Sequence, residues 1–263
     1  LSSPSQKTVS VDYATSDGTA VAGADYVAEN GTITFNPGVT TQNVQIAILD
    51  DPPDEANEAS TANLSNSNNA SSGDNNSLVT ITDDEGLPTL SAQDNSTIAE
   101  TGSIGATVTL SAPSAKTVTV AYFTADISAA AASDYTSTTG IFTFAPGETS
   151  KSVSIPITAD TIDEENETFR FEISNPSNAV VAVNQATMTI TDDDSAPTIS
   201  ISDNTTINEA SGATPLTVTL SAASERIITV NYTTANGTAN SVADYVATNG
   251  TLTFNPNITS LLI

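Results

Sequence analysis

Carboxylates crowd the ends of strand-like segments in this chain, and their charges repel unless a cation lies between them. The run Asp192-Asp193-Asp194 directly follows an apolar alternation that ends at Ile190. A second acidic run occupies residues 160–167. Two carboxylates ~5 Å apart repel by roughly 3 kcal/mol at an effective dielectric of about 20. Acidic residues at this density indicate a cation site.

The charge balance of the whole chain favours the same interpretation. The 263 residues include 31 acidic and 5 basic side chains, giving a formal net charge of -26. Salt bridges therefore cannot neutralise most of the acids, and their clustering favours bound metal cations over charges spread through solvent. A surface this negative argues against nucleic acid or anionic lipid as partners, since both need basic patches.

The residue types that are missing narrow the chemistry further. The chain has no Cys, no His and no Trp, which excludes disulfides, zinc or iron–sulfur sites built on Cys and His, and nucleophilic catalysis that depends on them. Oxygen ligands suit hard cations: Ca²⁺ takes 6–8 oxygens in irregular geometry, whereas Mg²⁺ requires an octahedron. No apolar run approaches the ~18 residues of a membrane span, so no membrane insertion is expected.

An internal repeat sets the domain organisation. Tyr13, Tyr122 and Tyr232 lie 109 and 110 residues apart in matching contexts. A period of about 110 residues is too long for a solenoid and typical of a small sandwich domain. We expect three repeats: residues 1–85, lacking the first strand; residues 88–194, complete; and residues 197–263, truncated at the C-terminal end. Three Asp-Tyr pairs keep the same spacing: Asp25-Tyr26, Asp134-Tyr135 and Asp244-Tyr245.

Apolar residues alternate with polar ones throughout the complete repeat. Val118, Val120 and Tyr122 alternate with threonines, and Phe169 and Phe171 form part of a later alternating segment. No stretch has a convincing helical period. About seven such segments in about 110 residues predict an all-β fold of tandem antiparallel Greek-key, immunoglobulin-like β-sandwiches.

This fold brings the acids together at one pole of the sandwich. Counting strands up and down places the closing Asp192-Asp193-Asp194 run, the 160–167 loop, Glu100 and Asp134 at the same end. Their number exceeds what one ion needs. Acids also end strands and make turns in solvated loops, but their recurrence at matching offsets in the first repeat favours a metal site.

Several motifs in fixed order resemble the Calx-beta domain, the calcium-binding sandwich of sodium–calcium exchangers that also recurs in bacterial surface proteins. They are the segments 11–20 (VDYATSDGTA), 23–26 (GADY) and 31–38 (GTITFNPG), followed by the acidic loop and the closing acidic run. The resemblance covers essentially the whole chain as three copies. It implies Ca²⁺ as cofactor, with two or more ions in each intact repeat.

The resemblance also implies a ligand set in each repeat. Departures from the family pattern are Ala159 in place of an Asp, Glu85 in place of the third closing Asp, and Asn236 where the first repeat has Asp17. The implied ligands are Glu100, Asp134, Asp160, Glu164, Glu167, Asp192, Asp193 and Asp194 in the second repeat; Asp25, Asp50, Asp51, Glu55, Glu58, Asp83, Asp84 and Glu85 in the first; and Glu209 and Asp244 in the third.

Two functions are compatible with these predictions. The main hypothesis is a calcium-binding structural or adhesive array of a large secreted or cell-surface protein, of bacterial type, in which Ca²⁺ stiffens the joints. Its partners would be neighbouring copies of the domain, other surface proteins or filament subunits. The alternative is a calcium-sensing regulatory module of a larger membrane or signalling protein. An enzyme such as a glycosidase with paired carboxylates is disfavoured, because the acids recur in every repeat.

Overall fold

The computed structural model describes residues 1–93, 96–203 and 206–263, and its regular structure is almost entirely β. The exception is a short 3-10 turn, Glu209–Ser211. The described part of the chain contains no helix long and apolar enough to cross a membrane.

The first repeat forms one antiparallel sheet with the order β2-β1-β3-β4. Residues 41–49 match a strand of the second repeat, yet their contribution is limited to an isolated bridge between Tyr26 and Ile48. In the second repeat the matching strand pairs with Ser103–Leu110, whereas the described residues before Val9 form no strand with which residues 41–49 could pair. The strands are β1 (Val9–Ser16), β2 (Asn30–Phe35), β3 (Glu58–Asn68) and β4 (Asn76–Ile81).

The second repeat is a two-sheet sandwich, which confirms the predicted fold class. Its strands are β5 (Thr89–Ala92), β6 (Ser96–Ala99), β7 (Ser103–Leu110), β8 (Val118–Asp126), β9 (Thr139–Phe144), β10 (Ser150–Pro156), β11 (Glu167–Ser177), β12 (Val180–Val183) and β13 (Gln185–Thr191). The sheet orders are β10-β7-β5-β12 and β6-β13-β11-β8-β9. Phe169, Phe171 and Met188 are fully buried between the sheets, as the alternation of period two predicts.

The second repeat has two short strands, β6 and β12, in addition to the seven or so that the sequence predicts. The opening segment of the repeat is divided between the sheets, so that β5 pairs in parallel with β12 and β6 in parallel with β13. The sandwich is therefore not purely antiparallel. In both sheets these strands add hydrogen bonds at or next to an edge, where an unpaired ladder would be open to aggregation.

The third repeat consists of two small sheets, β14-β15-β18 and β16-β17. Its core comprises Val218, Leu220 and Phe254, with partly buried apolar neighbours. The strands are β14 (Ile199–Ile201), β15 (Thr217–Leu220), β16 (Ile228–Thr233), β17 (Asn249–Phe254) and β18 (Ser260–Leu262).

Strand register in the second repeat places the acidic segments at one pole. Glu167, at the start of β11, pairs with Ile190 near the end of β13. β6 runs parallel to β13 and ends beside it, with Ala99 opposite Thr191. The end of β8 lies opposite Phe169. One end of the sandwich therefore carries four segments: those that follow β6, β8 and β13, and the one that precedes β11.

Candidate metal centres

The most buried acidic triad lies at the pole of the second repeat. Carboxylate oxygens of Glu100, Asp192 and Asp194 all lie within 4.8 Å of one another, and Glu100 is only 4% exposed. Burial, with the charges of Asp160 and Asp194, raises the pKa of Glu100 to about 7. Glu100 Oε2 and Asp194 Oδ2 are buried and have no hydrogen-bond partner among the described residues. Buried oxygens of this kind are expected to need a partner.

A second triad at the same pole joins Asp134, Glu164 and Glu167, again with oxygens within 4.8 Å. Burial is the main cause that raises the pKa of Glu164 and of Glu167 to about 7. Neighbouring carboxylates, including Glu225 of the third repeat and Asp134, add to the shift. Both triads are therefore destabilised by their own charge as pH rises.

The loop that carries Asp134 is held by a carboxylate outside the triad. Asp126 Oδ1 accepts hydrogen bonds from the Tyr135 hydroxyl at 2.5 Å and from the Ala131 amide at 3.0 Å. Asp134 Oδ2 in turn accepts from the Ala130 amide at 2.5 Å. The buried Tyr135 ring stacks on Phe169, with ring centroids 4.1 Å apart. This network ties the position of Asp134 to the core.

The first repeat has two triads at the corresponding pole, Asp25–Glu55–Glu58 and Asp50–Asp84–Glu85. A cleft of about 210 Å³ is lined by both. Burial and neighbouring carboxylates raise the pKa of Glu55, Glu58 and Glu85 above their usual range. Two of the triads thus use a closing acidic run, and the other two use the Asp-Tyr loop with the acidic loop.

Other predicted ligands lie near the triads without joining them. Asp51 lines the cleft of the first repeat, while Asp83 Oδ1 accepts from the Glu55 amide at 2.9 Å. Asp160 Oδ1 accepts from the Ile162 amide at 2.7 Å, and Asp193 is exposed. Hydrogen bonding leaves Asp83 and Asp160 with a second oxygen, so their assignment as ligands stays a prediction.

The predicted ligands of the third repeat are not part of any described triad. Glu209 is exposed at the start of the 3-10 turn, and Asp244 Oδ2 accepts from the Asn240 amide at 2.8 Å. Residues 245–263 do not include a counterpart of the 160–167 loop, the segment that supplies the other two members of the Asp134 triad.

Sequence reasoning missed that each acidic pole receives a base from the following repeat. Lys116 Nζ lies 2.9 Å from Asp54 Oδ1 and 3.9 Å from Asp83 Oδ2. Arg226 is placed in the same way, with nitrogens 3.5 Å from Asp163 and 3.4 Å from Asp192. The signal was available, because Lys116 and Arg226 lie 110 residues apart, in step with the repeat.

Asp54 and Asp163, which sequence reasoning also missed, join the repeats through hydrogen bonds. Each is only 4% exposed. The Ser114 hydroxyl donates to Asp54 Oδ2 at 3.1 Å, and the Ser224 hydroxyl donates to Asp163 Oδ2 at 2.7 Å. Arg226 also donates from Nε and Nη2 to the backbone carbonyl of Glu164. The joints are thus built from the same loops that supply triad ligands.

The triads fit calcium better than other biological cations. Their ligands are all carboxylates, and the chain has no His or Cys with which to favour a softer metal. The unpartnered oxygens of Glu100 and Asp194 provide acceptors without donors. Flexible, oxygen-only sites of this type suit Ca²⁺. Fold and sites together define a tandem array of calcium-binding β-sandwiches.

The chain belongs to the Calx-beta family. The model of the Calx-beta domain matches residues 1–85, 82–194 and 192–263, which together span the chain. The predicted family and the predicted cofactor, Ca²⁺, are thereby confirmed. Domains of this family are calcium-binding regulatory domains without a catalytic role.

Animal sodium/calcium exchangers are among the curated proteins that are similar to this chain. Sodium/calcium exchanger 1 of Canis lupus familiaris is 30% identical over 191 residues, covering 64% of this chain and 20% of that protein. The sodium/calcium exchanger Calx of Drosophila melanogaster is 31% identical over 175 residues, covering 64% of this chain and 18% of that protein. The chain therefore spans about a fifth of the length of the curated relatives it matches.

Solved structures of calcium-binding domains are also similar to this chain. The apo form of the Calx CBD1 domain is 29% identical with a TM-score of 0.40, covering 41% of this chain and 100% of that one. The calcium binding domain CBD12 of CALX1.1 is 27% identical with a TM-score of 0.40, covering 66% of this chain and 73% of that one.

Two expectations from the sequence are wrong. The relatives are exchangers of animals, such as dog and fruit fly, so the main hypothesis of an adhesive extracellular array is contradicted and the regulatory alternative is favoured. The predicted location, on the surface of a bacterial cell or secreted from it, is contradicted by the same relatives. Repetition and acidity are common to both functions, which is why the sequence pattern could not separate them.

Proposed function

We propose that this chain is a calcium-responsive regulatory module, in which calcium occupancy at the poles of the first two repeats sets the stability of the joints that follow them. The observation that carries the proposal is the position of Asp192. Its carboxylate belongs to the triad with Glu100 and Asp194 and also lies 3.4 Å from Arg226 of the third repeat. One residue thus belongs both to a candidate metal centre and to a joint.

The four triads would hold the ions, with Asp51, Asp83, Asp160 and Asp193 as additional ligands. Bound calcium supplies positive charge that offsets the repulsion among the carboxylates. In calcium-free protein, Arg226 is the cation nearest to Asp192 and Asp163 among the described residues. Calcium therefore changes the charge that Arg226 faces, and the strength of its pairing across the joint changes with it.

The joint between the first and second repeats also pairs a base with the preceding acidic loop, but at different distances. Lys116 lies 2.9 Å from Asp54, which is outside the triads, and 3.9 Å from Asp83, which neighbours the triad residue Asp84. The joint base is therefore further from triad carboxylates than Arg226 is. We expect the second joint to respond to calcium more strongly than the first.

No catalytic role is proposed for this chain. The carboxylates recur in each intact acidic pole, and every triad has the oxygen-only character of a cation site. Because the chain matches about a fifth of each exchanger, the protein regulated by this module is proposed to be a larger one that contains it.

Isothermal titration of the calcium-free chain with Ca²⁺ tests the proposal. A regulatory module needs micromolar affinity, within the range of known calcium sensors. Binding confined to millimolar concentrations would contradict sensing. Small-angle scattering of the same samples should show a change in the angular spread of the repeats, and identical curves with and without Ca²⁺ would contradict a response at the joints.

A matched pair of variants assigns the response to the triads. Glu100→Gln removes one charge from a triad, whereas Asp74→Asn removes one charge from an exposed loop outside all four triads. We expect the first to lose calcium affinity and the second to keep it. Equal titration curves for both variants would contradict the assignment of the Glu100 triad.

A further inference from the structure

Each repeat contains a short polar segment of the same type, here called the socket: Ser5-Gln6-Lys7, Ser114-Ala115-Lys116 and Ser224-Glu225-Arg226. These three sockets contain three of the five basic residues of the chain. In a protein with a net charge of -26, scarce bases at one repeated position indicate a common role.

The second and third sockets both bind an aspartate of the preceding acidic loop. The Ser114 hydroxyl donates to Asp54 Oδ2 at 3.1 Å, and the Ala115 amide donates to the Asp54 carbonyl at 3.0 Å. Lys116 then pairs with the same carboxylate at 2.9 Å. A hydroxyl, an amide and a cation thus converge on one residue.

The third socket binds Asp163 with the same contacts. The Ser224 hydroxyl donates to Asp163 Oδ2 at 2.7 Å, and the Glu225 amide donates to the Asp163 carbonyl at 3.0 Å. Arg226 Nε lies 3.5 Å from Asp163 Oδ1. Recurrence of all three contacts at two joints shows that the socket recognises aspartate through its side chain and its backbone together.

The first socket has the same internal geometry. The Lys7 amide donates to Ser5 Oγ at 3.0 Å, as the Lys116 amide does to Ser114 Oγ at 3.0 Å. The Gly38 amide donates to the Ser5 carbonyl at 2.9 Å, and the Gly147 amide bonds the Ser114 carbonyl at the same distance. The first socket therefore has the same two internal hydrogen bonds as the occupied second socket.

Two of the three groups that would contact an aspartate, the Gln6 amide and the Lys7 ammonium, have no partner among the described residues. The Gln6 amide has no acceptor among the described residues, and no described carboxylate lies within 4.0 Å of Lys7 Nζ. The Ser5 hydroxyl donates to the nearby Lys7 carbonyl at 2.9 Å. Gln6 and Lys7 are exposed.

We propose that Ser5-Gln6-Lys7 is a docking site for the acidic loop of a further Calx-beta repeat. The loop is recognised through an aspartate equivalent to Asp54 and Asp163, whose carboxylate meets Ser5 and Lys7 and whose carbonyl meets the Gln6 amide. The contacts of the two occupied sockets specify this occupant, and the charge of Lys7 fits an acidic loop.

An extended chain tests the proposal at high effective concentration. A second copy of residues 88–219 is joined directly before Leu1, so that Leu1 takes the place of Leu220. The added Asp163 then lies 61 residues before Ser5, the separation found between Asp163 and Ser224. The core of the second repeat lies wholly within residues 90–190, so the added copy carries a complete core.

Amide hydrogen exchange at Gln6 is the readout, with the Ala115 amide as internal standard. We expect Gln6 to exchange at least about tenfold more slowly in the extended chain than in the natural one, because its amide gains an acceptor across the new joint. Asp163→Ala in the added copy alone should return fast exchange. Lys7→Glu should do the same, while Lys151→Glu, an equal charge reversal away from the socket, should not.

A second measurement tests the proposal if the extended chain does not fold. Unlabelled protein of residues 88–194 is added to the ¹⁵N-labelled natural chain, and the Gln6 and Lys7 amide signals should shift. The same protein with Asp163→Ala should leave them in place. The proposal is overturned if Gln6 exchanges equally fast in both chains while Ala115 stays protected, or, where the extended chain does not fold, if neither added protein shifts the signals.

Discussion

The acidic poles of the first and second repeats follow one plan but differ in how deeply their carboxylates are held. The second pole includes Glu100, a buried residue that follows β6. Among the described residues, the triad of the first pole that uses the closing acidic run contains Asp50, which is exposed, instead of a buried glutamate. The second repeat in turn has Ala159 where the first has Asp50.

The joint that follows the more deeply buried pole also has more contacts to its base. Arg226 reaches Asp163, Asp192 and the carbonyl of Glu164, whereas Lys116 lies close to Asp54 and at the limit of contact with Asp83. A planar guanidinium can serve several acceptors at once, which an ammonium on a flexible stem does less well. The deeper metal centre is therefore joined to the better connected base.

Calcium removal should produce the largest difference between the two poles. Buried carboxylates that lose their cation carry both a desolvation penalty and mutual repulsion, so the second repeat should lose more stability than the first. Saturation at 1,000 times Kd is worth about 4 kcal/mol for one site. Calorimetry in EDTA and then in Ca²⁺ measures this loss, and equal shifts for both repeats would contradict a difference between the two poles.

Removing one carboxylate charge from each pole should show how much each pole depends on its buried or exposed ligand. Glu100→Gln is expected to weaken calcium binding at the second pole by at least about tenfold, which corresponds to about 1.4 kcal/mol. Asp50→Asn should cost the first pole less, because the exposed Asp50 can be replaced by water. Without calcium the order reverses, since Glu100→Gln removes a buried repelling charge and should raise Tm. Titration calorimetry and melting of both variants give the two comparisons.

The calcium-free chain should become less stable as pH rises. The pKa of Glu100, Glu164 and Glu167 is raised from an ordinary 4.5 to about 7 in the folded protein. The folded state therefore binds more protons than the unfolded state between these values, and stability falls as pH rises through that window. Tm in EDTA should drop from pH 5 to pH 8.

A triple variant with Gln at these three positions is the control for the pH dependence. It should flatten the slope in the second repeat, because the titrating groups are gone. With saturating Ca²⁺ the slope of the natural chain should also flatten or reverse, since protons compete with the cation for the same oxygens. A slope retained by the triple variant would contradict the assignment.

Exchanging the two joint bases should have the smallest effect. Arg226→Lys loses the multiple contacts of the guanidinium, and Lys116→Arg gains some, with changes of roughly 1 kcal/mol or less expected for partly exposed pairs. The Glu225 and Ala115 amides, which bond across the joints, report each change through hydrogen exchange. If Arg226→Lys leaves exchange of the Glu225 amide unchanged while Arg226→Ala speeds it, Arg226 contributes to the joint through its charge and not through its multiple contacts.

Much of the fold followed from local pattern. Alternation around Val118, Phe169 and Phe171 identified strands because side chains on a strand point to opposite faces with a period of two. The short strands β6 and β12 were missed, since their sequences, STIA and VVAV, do not alternate between polar and apolar residues. The function was misjudged because acidity and repetition are shared by adhesive and regulatory arrays.

The sequence by itself determined the repeat, the all-β class, the concentration of acids at one pole and the preference for a hard cation. These depend on residue type and spacing along the chain, which are local properties. Only the tertiary structure decided which carboxylates share a triad, that Glu100 is the buried one, and that the neutralising base comes from the next repeat. Contacts such as Asp163 with Ser224, 61 residues apart, depend on how complete domains pack, and no local pattern encodes that packing.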